Sequence, residues 1–191
     1  MANVQRLADL FTESIHKSCQ GEVAILFSGG LDSSAIATVA KKFSNPLLVT
    51  AGVEGSQDLI AARKIAAELN LSHKEVVLSE EEIVKVYKKC YKIRNGDMLK
   101  VELMVPVFSC CREAARAGKW RILTGSGAEE LFIGYDRYFK YKGKKLEKLL
   151  EKEIVKLPSG DCESQELVAK IIASGRVSRC ARARSRRGTR R

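Results

Sequence analysis

The sequence lacks the residue clusters that hold zinc ions or disulfide frameworks. Its six cysteines form no C-x-x-C pair, and its only two histidines, His16 and His73, are far apart along the chain. Zinc sites and disulfide-stapled domains need such pairs at short spacing, so both classes are excluded. We expect reduced thiols that mostly fill the core.

Long apolar runs are also missing. Uncharged apolar stretches end at about ten residues, whereas a membrane-spanning helix needs about twenty. The first residues, MANVQRLADLFTES, lack the apolar centre of a secretory signal. These absences predict a soluble, cytoplasmic protein.

The excess of positive charge is confined to one end of the chain. The net charge is +11, but residues 175–191 contain eight of the 34 basic residues and none of the 23 acidic ones, which leaves +3 for the rest. A segment so charged and so poor in apolar residues cannot bury enough surface to fold. We predict one domain over residues 1–174 and an arginine-rich, disordered tail over 175–191, which is either a nucleic-acid-binding arm or an added segment.

The apolar residues alternate between the period of a strand and the period of a helix. Strands are predicted at 22–27, 46–53, 74–78 and 120–124, with amphipathic helical stripes before and between them. Such alternation predicts an α/β fold, a doubly wound and mostly parallel sheet with helices on both faces. In that fold the ligand crevice lies at the carboxyl ends of the strands.

Two segments of the second half are assigned from local signals. Pro106 is typical of a helix start. The stretch RNGDMLKVE, with Lys100 and Glu102, is predicted as a loop over the crevice whose side chains either face a substrate or, more simply, are solvated. A charged amphipathic segment at 146–157 follows the last strand.

The stretch SGGLDSS, residues 28–34, leaves the first predicted strand directly. Its two glycines permit close backbone approach, and its three serines offer hydroxyls at the start of a helix, where free amides and the helix dipole attract anions. The stretch has no lysine, which excludes the Walker loop G-x-x-x-x-G-K-[ST]. We therefore predict an anion cradle of another kind, the simpler alternative being a serine-capped turn.

Asp32 places a negative charge beside this predicted anion site. A carboxylate would repel a phosphate unless a magnesium ion lay between the two groups. The cradle therefore predicts magnesium together with a phosphate ligand.

SGGLDS resembles the pyrophosphate loop of the N-type ATP pyrophosphatases, the PP-loop superfamily, whose members cleave ATP to AMP and pyrophosphate while adenylating a substrate. The segments GVEGSQDLIAARKIAAELNLSHKEV (52–76) and LTGSGAEELFIGYDRY (123–138) are similar to the synthetase domain of asparagine synthetases and the related beta-lactam synthetases. The resemblance covers about residues 20 to 140. It implies an adenine nucleotide alpha hydrolase-like fold in a short, archaeal-type form that is truncated at its carboxyl end.

The resemblance also implies a set of site residues. It assigns the pyrophosphate loop to Ser28, Gly29, Gly30, Asp32 and Ser33.

Further assignments concern the nucleotide and the metal. The resemblance places adenosine contacts at Phe27 and Ala51 and backbone contacts with the nucleotide at Thr124 and Gly125. It implies that Asp32 and Glu129 bind magnesium, although the family usually has aspartate at the second position. Alternatively, Glu129 only complements a helix N-terminus.

Ser126 departs from the family pattern. The second motif of the family usually reads G-E-G, and its glutamate takes part in forming and amidating the acyl-adenylate, whereas this chain has Gly125, Ser126 and Gly127. A serine cannot act as a general base at neutral pH without help. We take Ser126 and Asp32 as the candidate catalytic positions.

The function implied is that of an ATP- and magnesium-dependent ligase. It would adenylate a carboxylate, most simply aspartate, release pyrophosphate and pass the acyl group to ammonia. Because residue 2 is Ala2 and not the leading cysteine of a glutaminase domain, we expect the nitrogen to come from free ammonia or a separate glutaminase subunit.

Two other functions remain open. One is a tRNA-modifying ATP pyrophosphatase held to RNA by the arginine tail, and the other is an ATP-binding remnant without turnover. Among the remaining polar residues, His73 is predicted to lie at the surface, and no sulfur relay is expected from Cys110 and Cys111.

Overall fold

The computed structural model describes residues 2–94 and 97–156, together with residues 168 and 172. Four strands form one sheet in the order β3-β2-β1-β4, and every neighbouring pair is parallel. The strands are β1 (Val23–Leu26), β2 (Leu47–Gly52), β3 (His73–Val77) and β4 (Arg121–Leu123). The predicted strands are confirmed, each shifted by a few residues at most.

Seven helices belong to the described part of the chain. They are α1 (Ala2–Ser18), α2 (Leu31–Ala40), α3 (Gln57–Leu69), α4 (Glu80–Ile93), α5 (Met98–Arg116), α6 (Ala128–Phe132) and α7 (Lys144–Lys156), with a short 3-10 helix (Asp136–Lys140) between the last two. Helix α7 corresponds to the predicted amphipathic segment.

Helices cover both faces of the sheet. On one face, Ile25 and Leu48 pack with buried side chains of α1, α2 and α3. On the other, Ala24 and Val49 pack with Cys110 and other residues of α5. Successive residues of a strand point to opposite faces, so the apolar runs of β1 and β2 supply both layers of the core. The prediction of a doubly wound parallel α/β fold is confirmed.

Helix α5 differs from the prediction. It begins at Met98, where the Asp97 side chain accepts a hydrogen bond from the Lys100 amide at 3.1 Å, and it continues through Pro106. The predicted start near Pro106, with Lys100 and Glu102 in a loop, is therefore wrong. A proline inside a helix costs about 3 kcal/mol, but the burial of one apolar side chain contributes roughly 1.5 to 3 kcal/mol. Several such side chains of α5 pack against α4: Val101, Met104, Val105 and Phe108.

The described cysteines are Cys19, Cys90, Cys110 and Cys111, and all four are buried thiols. Burial raises the pKa of Cys110 to about 12 and that of Cys111 to about 11, which keeps both protonated. They fill the core as expected.

Some predictions fall on other parts of the chain. The tail at 175–191, the domain boundary at 174 and residue 157 of the amphipathic segment lie outside the described residues. Of the helices described, none is both long enough and apolar enough to cross a lipid bilayer.

Candidate nucleotide site

Two loops meet at the point where the strand order reverses. The chain adds β2 and β3 on one side of β1 and then places β4 on the other, with Ile25 opposite Leu123. Because the strands are parallel, the loops after β1 and β4 leave the same edge of the sheet. This is the position at which open α/β sheets bind ligands.

A cavity of about 420 Å³ lies between these two loops, a size typical of small-molecule sites. Its lining residues are Leu26, Ser28, Gly30, Leu31, Asp32, Ser33, Thr124, Gly125, Ser126 and Glu129. All of the predicted site residues line it except Phe27, Gly29 and Ala51. Segments almost a hundred residues apart in sequence therefore form one crevice.

Two serine hydroxyls hold the first loop in its shape. The Ser33 hydroxyl donates to the Gly30 carbonyl at 3.2 Å and accepts from the Ser28 amide at 3.4 Å. The Ser28 hydroxyl accepts from the Gly30 amide at 3.2 Å and lies 3.3 Å from the Ser33 hydroxyl. These internal hydrogen bonds hold the loop in its curved form, so binding would cost little ordering entropy.

Gly29 packs against a helix and does not face the cavity. Its φ is +73°, and a Cβ atom on it would lie 2.6 Å from the backbone of Ala61 and Ala62 in α3. Glycine is required here for two reasons, the left-handed conformation and the lack of space. The role of Gly29 is to let the loop rest on α3.

The N-terminus of α2 opens into the cavity. Gly30 is its N-cap and, having no side chain, leaves the first helical amides without a side-chain cap. These amides and the helix dipole together favour an anion at this point. Asp32 lies in the first turn of the same helix, so its carboxylate and the amides face one space.

The second loop is held by its own hydroxyls. Thr124 Oγ1 accepts from the Ser126 amide at 3.2 Å and lies 3.1 Å from the Ser126 hydroxyl. A Cβ atom on Gly125 would lie 3.0 Å from Asp32 Cβ. The two loops are therefore in close contact through Gly125, and Ser126 presents a hydroxyl to the crevice where the family usually has an acid.

Glu129 reaches the cavity from the first turn of α6. Gly134 packs against it, since a Cβ atom on Gly134 would lie 2.9 Å from Glu129 Cγ, and the Gly134 amide donates to the Glu129 carbonyl at 2.8 Å. The side chain of Glu129 is thus supported from behind by the turn that ends α6.

The oxygen donors of the cavity fit magnesium. Asp32 and Glu129 enter the same space from opposite loops, and Mg²⁺ is usually held by one or two carboxylates together with substrate phosphates and water. Within the described ranges no group of three or more histidine, cysteine, aspartate and glutamate side chains could hold a metal ion.

Three residues with predicted ligand contacts, Phe27, Ala51 and Ser34, do not line the cavity. The Phe27 side chain is 3% exposed and packs in the core beneath α1 to α3, and Ala51 packs among residues that face α4 and α5. The Ser34 hydroxyl, proposed as a donor, is buried away from the cavity and has no hydrogen-bond partner among the described residues. The adenosine contacts at Phe27 and Ala51 stay a prediction.

Leu26 and Leu31 line the cavity and were missed by the sequence reasoning. Leu31 is 86% exposed. The sequence feature that could have indicated Leu31 is its place between a glycine and an aspartate in an otherwise polar loop. Such a side chain offers an apolar surface beside the anion cradle.

The expectation that His73 lies at the surface is wrong. Its side chain is only 10% exposed, its Nε2 atom lies 2.8 Å from Thr50 Oγ1, and its ring meets the edge of Phe27 with centroids 6.2 Å apart. Burial lowers the pKa of His73, while the nearby Glu75 carboxylate opposes this effect. The charged residues next to His73 in the sequence suggested exposure, but its side chain packs against Thr50 of β2 and against Phe27.

Comparisons with known proteins show the family to which the chain belongs. The family model described as asparagine synthase matches residues 6–190. A relative from Methanocaldococcus jannaschii, named "Putative asparagine synthetase (glutamine-hydrolyzing) 1", is 36% identical over 146 residues, which are 75% of this chain and 27% of the relative. The asparagine synthetase (glutamine-hydrolyzing) of Zea mays is 31% identical over 157 residues, with the same two shares. The chain thus spans about a quarter of the length of these relatives.

Among solved structures, the NH3-dependent NAD synthetase of Campylobacter jejuni aligns with a TM-score of 0.44 and 22% identity, over 69% of this chain and 60% of that one. The fold assignment rests on the sheet and its helices, and the family assignment rests on the match over nearly the whole sequence. This chain belongs to the asparagine synthase family.

Proposed function

We propose that the cavity binds ATP and that the chain supports adenylation of a carboxylate, most simply aspartate, followed by transfer of the acyl group to ammonia. The observation that carries the proposal is the meeting of the SGGLDSS loop and the TGSG loop in one cavity with Asp32 and Glu129. A carboxylate is a poor acceptor for ammonia because its leaving group would be oxide. Conversion to an acyl-adenylate replaces that leaving group with AMP.

The phosphates would lie over the first loop. The uncapped amides of α2 lie at this part of the cavity, and Ser28 and Ser33 line it, with their hydroxyls holding the loop in shape. In a partly enclosed site, oriented dipoles of this kind stabilise charge that develops on the departing pyrophosphate. The chain's main contribution to the first step is this preorganised anion cradle.

Magnesium would be held by Asp32 and Glu129 together with phosphate oxygens. When bound, it would neutralise phosphate charge and so favour departure of pyrophosphate. The two carboxylates would otherwise repel the nucleotide, which explains why acids and an anion cradle share one cavity.

The reaction balances without a further reactant. A substrate carboxylate oxygen attacks the α-phosphorus, the bond from that phosphorus to the bridging oxygen breaks, and pyrophosphate leaves. Ammonia then attacks the acyl carbon, the carbon–oxygen bond to AMP breaks, and a proton of the new ammonium group goes to a base. Ser126 does not supply that base readily, so we propose that the second step is slow in this chain.

The test is incubation of the chain with ATP, Mg²⁺, ammonium and a panel of carboxylates, with quantification of pyrophosphate, AMP and amide product. We expect pyrophosphate release that depends on one carboxylate, with aspartate the first candidate. Replacing ammonium by glutamine should abolish amide formation unless a separate glutaminase is added. Release of phosphate and ADP in place of pyrophosphate and AMP would contradict the proposed reaction.

A further inference from the structure

A chain of two hydrogen bonds, one buried and one partly buried, joins strand β3 to the start of the phosphate loop. His73 Nε2 lies 2.8 Å from Thr50 Oγ1, and the Thr50 hydroxyl donates to the Phe27 carbonyl. Thr50 is 3% exposed, and neither Thr50 nor His73 lines the cavity. Phe27 directly follows β1, Thr50 lies within β2, and His73 is the first residue of β3, so three neighbouring strands are linked.

The direction of these hydrogen bonds is determined by the proton count. A threonine hydroxyl has one proton, and here it is donated to the Phe27 carbonyl. Thr50 Oγ1 can therefore only accept from His73, so Nε2 must be the protonated ring nitrogen. This holds for the neutral ring and for the charged ring, since both carry a proton on Nε2 in this arrangement.

The Phe27–Ser28 peptide group connects these hydrogen bonds to the phosphate loop. A trans peptide is planar, and its C=O and N–H bonds point in opposite directions. Fixing the Phe27 carbonyl toward Thr50 therefore directs the Ser28 amide to the other side, where it donates to the Ser33 hydroxyl. The Ser33 hydroxyl in turn holds the Gly30 carbonyl.

We infer that Thr50 and His73 are positioning residues of the nucleotide site, acting through the Phe27–Ser28 peptide, an inference that rests on the proposed function. They set the direction of the Ser28 amide, and through it the shape of the loop, without contacting the nucleotide. Glu75 and Arg63 lie on the outer side of the ring. Glu75 Oε1 lies 3.7 Å from His73 Nδ1, and the Arg63 guanidinium pairs with the Glu75 carboxylate at 2.7 and 2.9 Å.

Two matched pairs of variants test the role. Thr50→Val removes the hydroxyl and keeps the shape, whereas Thr50→Ser keeps the hydroxyl. His73→Met removes the donor, whereas His73→Gln retains an amide donor at similar reach. We expect Thr50→Val and His73→Met to weaken ATP binding by about five- to ten-fold, the usual size of one hydrogen bond. Thr50→Ser and His73→Gln should stay within about two-fold.

Calorimetric titration with ATP gives the dissociation constants, and thermal unfolding gives stability separately. If Thr50 and His73 only stabilised the fold, the variants would lose stability while the folded protein kept the ATP affinity of the parent. Equal ATP affinity in Thr50→Val and Thr50→Ser would overturn the inference.

Nuclear magnetic resonance of the nitrogens provides a readout that does not need ATP. The chain has two histidines, so His16→Gln assigns the His73 signals. We expect a proton on His73 Nε2 and none on Nδ1 in the neutral ring, and a shift of the Ser28 amide signal in Thr50→Val but not in Thr50→Ser. A proton on Nδ1, or an unchanged Ser28 amide in Thr50→Val, would overturn the inference. Lack of ATP binding by the parent chain would instead contradict the proposed function.

Discussion

Gly125 touches Asp32 across the two loops of the cavity, and a Cβ atom at position 125 would come within 3.0 Å of Asp32 Cβ. The same atom would lie 3.5 Å from the Ser33 amide nitrogen. The contact sets the separation between the amino-terminal end of α2 and the loop after β4. A Cβ atom at position 125 would therefore require a small shift of Asp32 relative to the loop after β4.

Gly125→Ala should therefore weaken Mg²⁺-dependent ATP binding, because Asp32 would have to shift, and the added methyl group should cost at most about 1 to 3 kcal/mol of stability. Titration with ATP in the presence of Mg²⁺ measures the first quantity and urea unfolding the second. Unchanged affinity would show that the loop separation does not matter for binding.

Asp32→Ala should abolish Mg²⁺-dependent ATP binding, because it removes one of the two carboxylates that line the cavity. The matched control is Asp58→Ala, which removes an aspartate from the first turn of α3, away from the cavity. Both changes remove a favourable charge at a helix N-terminus, worth about 0.3 to 1 kcal/mol. ATP titrations with and without Mg²⁺ compare the affinities of the two variants. Equal affinities would show that Asp32 is not part of the site.

Gly29→Ala should destabilise the chain much more than Gly55→Ala. Both glycines have a φ of +73°, but an added Cβ meets nothing within 4 Å at Gly55 and meets the α3 backbone at 2.6 Å at Gly29. The left-handed conformation costs an alanine about 1 to 2 kcal/mol at either position. The clash should add about 1 to 3 kcal/mol at Gly29. Denaturant midpoints of both variants provide the comparison, and equal losses would mean that the loop does not rest on α3.

Ser126→Glu should raise amide formation if the missing acid limits the reaction. General acid or base help is worth about a hundred- to ten-thousand-fold in rate, so we expect at least a ten-fold gain in product with aspartate and ammonium and little change in ATP affinity. Ser126→Ala is the control, because it removes the hydroxyl without adding an acid. A parent chain that already turns over a few times per second, an ordinary enzymatic rate, would show that serine suffices here.

Stability should fall as the pH is lowered through the range in which His73 titrates. Burial lowers the pKa of folded His73 below its ordinary value of 6.5, and Arg63 acts in the same direction while Glu75 opposes it. The unfolded chain therefore binds this proton at higher pH than the folded chain. The contribution of His73 is fully present above its ordinary pKa and is lost as the pH falls through the folded pKa.

Urea unfolding of the parent and of His73→Gln between pH 8 and pH 5 isolates this effect, since all other titrating groups are shared. The parent should lose more stability than the variant over this range. An equal loss would mean that His73 keeps its ordinary pKa in the folded protein.

The sequence by itself determined the elements that depend on near neighbours. The apolar alternation of β1 and β2, the glycines and serines of residues 28–34, and the uncapped start of α2 are local features, so the parallel α/β fold and the anion cradle could be predicted. Backbone conformation and side-chain period act over a few residues and need no knowledge of the rest of the chain.

Only the tertiary structure decided which distant residues meet. The contact of Gly125 with Asp32, the packing of Gly29 on α3 and the burial of His73 against Thr50 depend on strand order and on how helices lie on the sheet. Tertiary packing also decided the local structure around Pro106. The free energy gained by burying the apolar face of α5 exceeds the free-energy cost of a proline inside the helix. Burial free energy is summed over the whole fold, so it can override a local preference that sequence alone would follow.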